Sequence, residues 1–375
     1  MTDFVPSEIF VMRTPLLPME ELEAWNAGLR APHASEDALD EALAHDRALL
    51  RARLEAQLAR PEIAEALFLA SPDLAASLEQ WRRDPDSKKG RRTEQGLVRY
   101  FVRMASRPTP FGLFSGCTSG RVGAGTHFAM APLRDYRRTS RLDMDYLFAL
   151  CEQLTRDPQL RAELTFRPNS SLHEAAGRLR FAESRVRGSL RTYHLVAFDA
   201  FDALRQTLAR AAGGARLDEL AAALVDEEIT REDADAFVND LVDNQLLVPD
   251  LALPVTGERG LLDQLRPLTS GAAAASAAGI SRAEAALASI DASPIGLSPD
   301  RYVSIARELE PLGVPIELSK LFQVDLTKPG ARMTLGASDV AEVLRGIEIF
   351  HRFSRARHDR SLEEFRNAFT ERYGS

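Results

Sequence analysis

Between Lys88 and Arg107 the chain carries seven basic residues (Lys88, Lys89, Arg91, Arg92, Arg99, Arg103 and Arg107) and a single acid, Glu94. Arginine recurs at every fourth position through 99, 103 and 107. At about 100° per residue these three drift by only about 40° per step, so a helix would set them on one face. Guanidinium groups on one ridge hold phosphates by paired hydrogen bonds, which lysine does less well. The ridge runs into Pro108-Thr109-Pro110, a rigid stop expected to fix Arg107 and the Thr109 hydroxyl at a defined exit angle. The competing account is a solvated basic face paired with nearby acids, which contributes little to stability.

Other charged groups extend the pattern. Arg134, Arg137, Arg138 and Arg141 precede Asp143 and Asp145, and a third group holds His351, Arg352, Arg355, Arg357, His358 and Arg360. Each can prolong a track for an RNA backbone or be plain surface. Asp143 is placed to cap the helix that follows it, or to act as a site carboxylate. Asp325, after the apolar Phe322-Gln323-Val324, is expected to be half-buried. Such a carboxylate is paired, often with arginine, or belongs to a site. No serine-hydrolase elbow, phosphate-binding Walker loop or zinc-protease motif occurs, and the histidines lack metal-ligand spacing.

The formal net charge of −8 rules out a generic nucleic-acid binder, so a polyanion must meet a local basic patch on an acidic body. A chain of 375 residues exceeds one ordinary core and predicts two or three subdomains. Only Cys117 and Cys151 are present, far apart, which fits a reducing compartment and argues against structural zinc. The opening MTDFVPSEIFVMRTP has early acids and a short apolar run, unlike a signal peptide. No stretch approaches the ~20 apolar residues that cross a bilayer. The expectation is a cytoplasmic protein.

The elements that must position these residues follow from periodicity. Residues 8–12 read as a strand leading into Arg13-Thr14-Pro15, and 19–83 as three or four helices. A polar loop at 84–90 precedes a helix over about 92–106, which the prolines end. Residues 112–141 turn β-like, LDMDYLFALCEQL is helical, and LTFRPNSSLHEAAGRLRFAESR reads as a hairpin. From 188 to 255 a strand, three helices and a closing ribbon, LLVPDLALPV, follow the order of a winged helix-turn-helix. Its helices are acidic and would repel phosphates, so it suits a peptide, held along a strand edge. In the Ala/Ser-rich 270–296 the first half suits a linker and the second a helix.

At RYFVRMASRPTPFGLFSG (residues 99–116) the sequence resembles the N-terminal glutamylation domain of class I lantibiotic dehydratases, which carry an Arg-x3-Arg-x-Thr-Pro-Phe/Tyr-Gly-Leu-Phe signature. VMRTPLLP, SRLDMDYL and LFQVDL are similar to further family segments, in the expected order. The resemblance implies transfer of glutamate from glutamyl-tRNA to Ser/Thr hydroxyls of a ribosomally made precursor peptide, followed by elimination to dehydroamino acids. It carries Arg103, Arg107, Thr109, Asp143, Asp325 and Arg13 over as catalytic positions. The basic Lys88, Lys89, Arg91, Arg92 and Arg99 are taken as tRNA-binding. Cations at the acceptor-end phosphates and at a developing oxyanion fit the chemistry. Either aspartate can orient or deprotonate the hydroxyl.

The fold expected is α+β, with helical and mixed-sheet subdomains and an inserted winged-helix module. Residues 1–164 and 256–375 are assigned to glutamylation, and 165–255 to leader-peptide recognition. No metal or cofactor is expected, with glutamyl-tRNA as co-substrate. The precursor leader and the tRNA are the implied partners, a cyclase or other maturation enzyme and a second copy being further candidates. Family members continue past FTERYGS into a Val-Pro-Leu-like segment and more than as much chain again, so the elimination part is expected to be missing here. The alternatives are a peptide aminoacyl-tRNA ligase of the same family, or a leader-binding module without chemistry. A DNA-binding regulator is disfavoured by the acidic helices.

Overall fold

The computed structural model describes residues 5–187, 190–251, 253, 261–268, 270–353 and 360–374. The fold is α+β. The chain opens with β1 (Ile9–Pro15), then α1 (Met19–Asn26), α2 (Leu39–Leu58), α3 (Pro61–Ala70), α4 (Pro72–Ala76), α5 (Leu78–Arg83) and α6 (Lys88–Ser106). Prolines open α3 and α4 at a position where their missing N–H costs nothing.

Helix α6 starts four residues earlier than periodicity predicts. Ser87 Oγ accepts the Gly90 N–H at 3.0 Å and caps it, so Lys88, Lys89 and Arg91 ride on the helix rather than in a loop. Its apolar face (Leu97, Phe101, Met104, Ala105) packs with Leu16, Leu17, Trp25, Leu54, Ile63, Trp81 and Phe114 into one core.

Strands β2 (Ser115–Gly123), β3 (His127–Met130) and β4 (Arg137–Leu142) follow, then α7 (Met144–Arg156) and α8 (Pro158–Glu163). With β11 (Phe322–Thr327) and β12 (Gly330–Gly336), they and β1 form a mixed six-stranded sheet. β1 lies antiparallel to β2, while β11 and β12 run parallel to it. Val324 and Leu326 point into the core, and Gln323, Asp325 and Thr327 point out. Just ahead of β11, Leu318–Lys320 form a short 3-10 turn.

The middle of the chain forms β5 (Thr165–Pro168), β6 (His173–Ala175), β7 (Arg178–Arg187), β8 (Leu190–Asp199), α9 (Asp202–Ala211), β9 (Ala215–Arg216), α10 (Leu217–Ala222), α11 (Arg231–Asp243) and β10 (Leu247–Pro249). Ala176 and Gly177 both have positive φ (54° and 75°), the two-residue turn that suits right-twisted strands, and β6 and β7 pair across it. The ribbon expected at 246–255 is only β10, paired with β5 rather than with itself; Ala252, Pro254 and Val255 of that ribbon lie outside the described residues.

Helices α12 (Leu261–Leu265), α13 (Gly271–Asp291) and α14 (Asp300–Leu309) follow. The supposed linker half of 270–296 is helix throughout. Ser270 caps it at the Ala273 N–H, and Ala273, Ser276, Gly279, Ile280 and Ala283 are buried. Small side chains let this helix lie close to its neighbours, and alanine is the best helix former. One continuous core joins α7–α11, α13 and α14. Helices α15 (Ala337–Phe353) and α16 (Arg360–Tyr373) bury no residue. His351, Arg352 and Arg360 are exposed on them, while Arg355, Arg357 and His358 lie outside the described residues.

Candidate functional site

The arginine ridge does not survive as a ridge. Arg99 is exposed and Arg103 half-buried, while Arg107 has left the helix in an extended conformation (φ −113°, ψ 119°). The Pro-Thr-Pro stop makes this break. What it gains is placement: the chain doubles back so that Phe111 lies under Arg103, its ring centroid 4.2 Å from Cζ. Phe111 is itself held against Phe114, centroids 5.5 Å apart. The buried Nε of Arg103 has no hydrogen-bond partner among the described residues. A planar cation clamped on a ring with an unmet donor is prepared for an anion.

The turn is tied to β1 through Ser115, whose Oγ lies 2.7 Å from Pro108 O and 3.1 Å from Thr14 O. Arg107 and Thr109 are both exposed on this turn. Arg13, also exposed, sits opposite Cys117, and Cys117 opposite Thr327, in one cross-strand row. Asp325 is two residues before Thr327 on the same open face. From strand spacings its Cα lies about 12 Å from that of Arg13.

Asp325 is more exposed than expected, its side chain 54% accessible, and it is paired as expected: Arg141 Nη1 donates to Oδ2 at 2.9 Å. Asp143 does cap α7, accepting the Asp145 N–H at 2.9 Å, and its own N–H donates to Leu321 O. Both carboxylates line a cleft of about 480 Å³ together with Pro110, Phe111, Gly112 and Gln323. A larger groove of about 870 Å³, between α7 and residues 242–253, contains none of the predicted site residues.

The structure thus sets Asp143 and Asp325 on one cleft whose Phe111 carries Arg103, with Arg13 two strands away from Asp325 and Arg107 and Thr109 exposed on the adjoining turn. It leaves Lys88, Lys89, Arg91 and Arg92 towards the far end of α6, about 16–23 Å from Arg103 along the helix axis. These four and Arg99 are exposed. The second basic group splits by strand alternation: Arg137 and Arg141 face out, and Arg138 is buried against Glu65 at 2.6 Å. Residue-by-residue reading missed Phe111 as the seat of Arg103 and Arg141 as the partner of Asp325. Period-2 alternation over 137–142 would have flagged Arg141. No group of His, Cys, Asp and Glu among the described residues could hold a metal ion. No helix among the described residues is long and apolar enough to cross a membrane.

A cation stacked on an aromatic ring, a proline-fixed turn and two carboxylates lining one cleft mark this end of the mixed sheet. The family model for the N terminus of lantibiotic dehydratases matches residues 59–375, and the chain belongs to that family. Curated relatives include the epidermin biosynthesis protein EpiB of Staphylococcus epidermidis, 23% identical over 154 residues (41% of this chain, 14% of EpiB). The subtilin biosynthesis protein SpaB of Bacillus subtilis is 24% identical over 197 residues, 51% of this chain and 18% of SpaB. Among solved structures, the tRNA-dependent lantibiotic dehydratase MibB from Microbispora sp. 107891 superposes with a TM-score of 0.72 at 23% identity, over 98% of this chain and 33% of MibB. The glutamylation domain TbtB from thiomuracin biosynthesis, bound to 5'-phosphodesmethylglutamycin, gives 0.55 at 20% identity, over 84% of this chain and 38% of TbtB. The matched regions thus span less than two-fifths of each of these proteins, and the structural likenesses concern the fold.

Proposed function

We propose that this chain forms part of the site that moves glutamate from glutamyl-tRNA onto Ser and Thr hydroxyls of a ribosomally made precursor peptide. The observation that carries this reading is the Arg103 guanidinium, with an unmet buried donor, seated on Phe111, the ring that lines the cleft with Asp143 and Asp325. In the transfer, the hydroxyl oxygen attacks the glutamyl ester carbonyl. The new ester forms, and the terminal ribose oxygen of the tRNA leaves with a proton. Arg103 and Arg107 would hold the acceptor-end phosphate and the developing oxyanion. Asp325, steadied by Arg141, or Asp143 would orient the incoming hydroxyl. Glutamyl-tRNA is then the co-substrate, and the setting is the cytoplasm, where charged tRNA is found.

Residues 165–255 are read as the leader-recognition module of winged-helix type. Helices α9–α11 with the β10-β5-β9 sheet support this. β8 has a strand partner on one side only among the described residues, and it exposes Tyr193 and Leu195 at 68% each. An extended peptide can add to such an edge.

The test is a glutamylation assay with the full-length protein, glutamyl-tRNA and precursor peptide, read by mass spectrometry. Arg103→Ala and Arg107→Ala are expected to lower adduct formation at least a hundredfold, and Phe111→Leu about tenfold. Undiminished adducts with both arginine variants would refute the reading.

A further inference from the structure

Lys328 follows the strand that carries Asp325 and is 4% exposed. Its N–H continues the parallel ladder by donating to Cys117 O at 2.9 Å. Alternation sends its side chain inward with Val324 and Leu326, away from the open face of Arg13 and Asp325. There the stem passes beneath β2 at Gly116. A Cβ at that position would lie 2.5 Å from Lys328 Cγ and 2.8 Å from Cδ, so the crossing needs the glycine. On the far side Nζ donates to Pro15 O at 2.6 Å, with the Tyr136 ring centroid 4.9 Å away. No carboxylate among the described residues pairs with it.

A buried ammonium without a counter-ion costs several kcal/mol, and a methionine would fill the same slot without that cost. What the ammonium adds is direction. It ties the carbonyl that ends β1, two residues after Arg13, to the strand of Asp325 across the intervening strand. We infer that Lys328 is a positioning residue of the transfer site, reaching through the Gly116 slot to hold Arg13 in register with Asp325. It cannot touch substrate, because it lies on the covered side of the sheet. The inference rests on the proposed glutamate transfer for its kinetic consequence, and on the contact alone for its structural one.

The experiment uses the full-length protein with Lys328→Met, and Gly116→Ala as a variant that narrows the slot while keeping the lysine. Glutamyl transfer is measured with glutamyl-tRNA and precursor peptide, and amide hydrogen exchange is followed over residues 9–15. The expected result for whichever variant folds is a kcat lowered at least tenfold, with KM for the peptide unchanged within twofold. Exchange over 9–15 should quicken at least tenfold, while 322–327 stays within threefold of wild type. A folded variant with wild-type kcat, or with unchanged exchange over 9–15, would overturn the inference. If the wild-type protein transfers no glutamate, the functional reading fails, and the exchange data still decide the Lys328 contact.

Discussion

Glu65 and Arg138 form an ion pair with both side chains fully buried, Nη1 to Oε1 at 2.6 Å, between the two apolar cores of the molecule. Glu65 also accepts from Tyr302 Oη (2.8 Å) and from the Gly296 and Leu297 N–H groups (2.6 and 3.0 Å). Arg138 reaches the carbonyls of Ser293 and Pro294. Burial, with Glu65 beside it, pushes the Tyr302 phenol far above its usual range, so it stays a donor. Removing one partner leaves the other charge buried and uncompensated. Glu65→Ala or Arg138→Ala is expected to cost about 3–5 kcal/mol in urea unfolding, with the double change well below the sum of the two.

The Arg141–Asp325 pair, half-exposed on both sides, contrasts with that buried pair. Exposed pairs contribute about 0.2–1 kcal/mol, so Arg141→Ala is expected to leave the melting temperature within about 2 °C. The same change frees Asp325 to swing, and glutamyl transfer should fall at least tenfold. Unaltered transfer would separate this pair from the site.

Lys88, Lys89, Arg91 and Arg92 occupy the first turns of α6, where no acid stands in the first turn. The helix dipole disfavours cations there, by about 0.3–1 kcal/mol each. Replacing Lys88 and Lys89 by alanine is expected to hold or slightly raise stability while weakening tRNA binding. In a salt titration, the slope of log K against log salt should shrink by about 1–2 units if both contact phosphate. Affinity and slope equal to wild type would remove this end of the helix from the RNA footprint.

Burial lowers the Lys328 amine to about 8, from the 10.5 of an exposed lysine. Its facing groups are the Pro15 carbonyl and the Tyr136 ring, whose phenol burial pushes up. Between about pH 8 and 10.5 the unfolded chain therefore holds the proton that the folded chain releases. The lysine's contribution to stability rises with pH across that window and is least favourable below pH 8. Lys328→Met lacks this slope. Its stability relative to wild type should decline by about 2–3 kcal/mol from pH 7 to pH 10 in urea unfolding. A constant difference would place the amine in a normal environment.

The α+β class, the order of most elements and the stop at Pro108-Thr109-Pro110 were legible in the sequence, because periodicity, caps and proline act over a few residues. Asp143 as a cap and an arginine partner for Asp325 were foreseeable on the same local grounds. A straight arginine ridge through 107 was not what formed, since the residue before a proline leaves the helix. Nor did the alanine-rich 271–291 stay a linker, because its worth as a helix lies in the core that it packs against.

What only the tertiary structure decided is which distant segments meet. Phe111 under Arg103 depends on how the segment after α6, residues 107–114, folds back on that helix. Arg138 against Glu65, Arg141 against Asp325 and Lys328 beneath Gly116 join residues between 73 and 313 positions apart, counting the reach of Lys328 to Pro15. The sequence alone determined the chemical inventory: arginines for anions, carboxylates for a hydroxyl, glycine where a side chain cannot fit. Pairing register and sheet sidedness then chose which charges face solvent and which are buried. Those are properties of strand partners, and no single segment carries them.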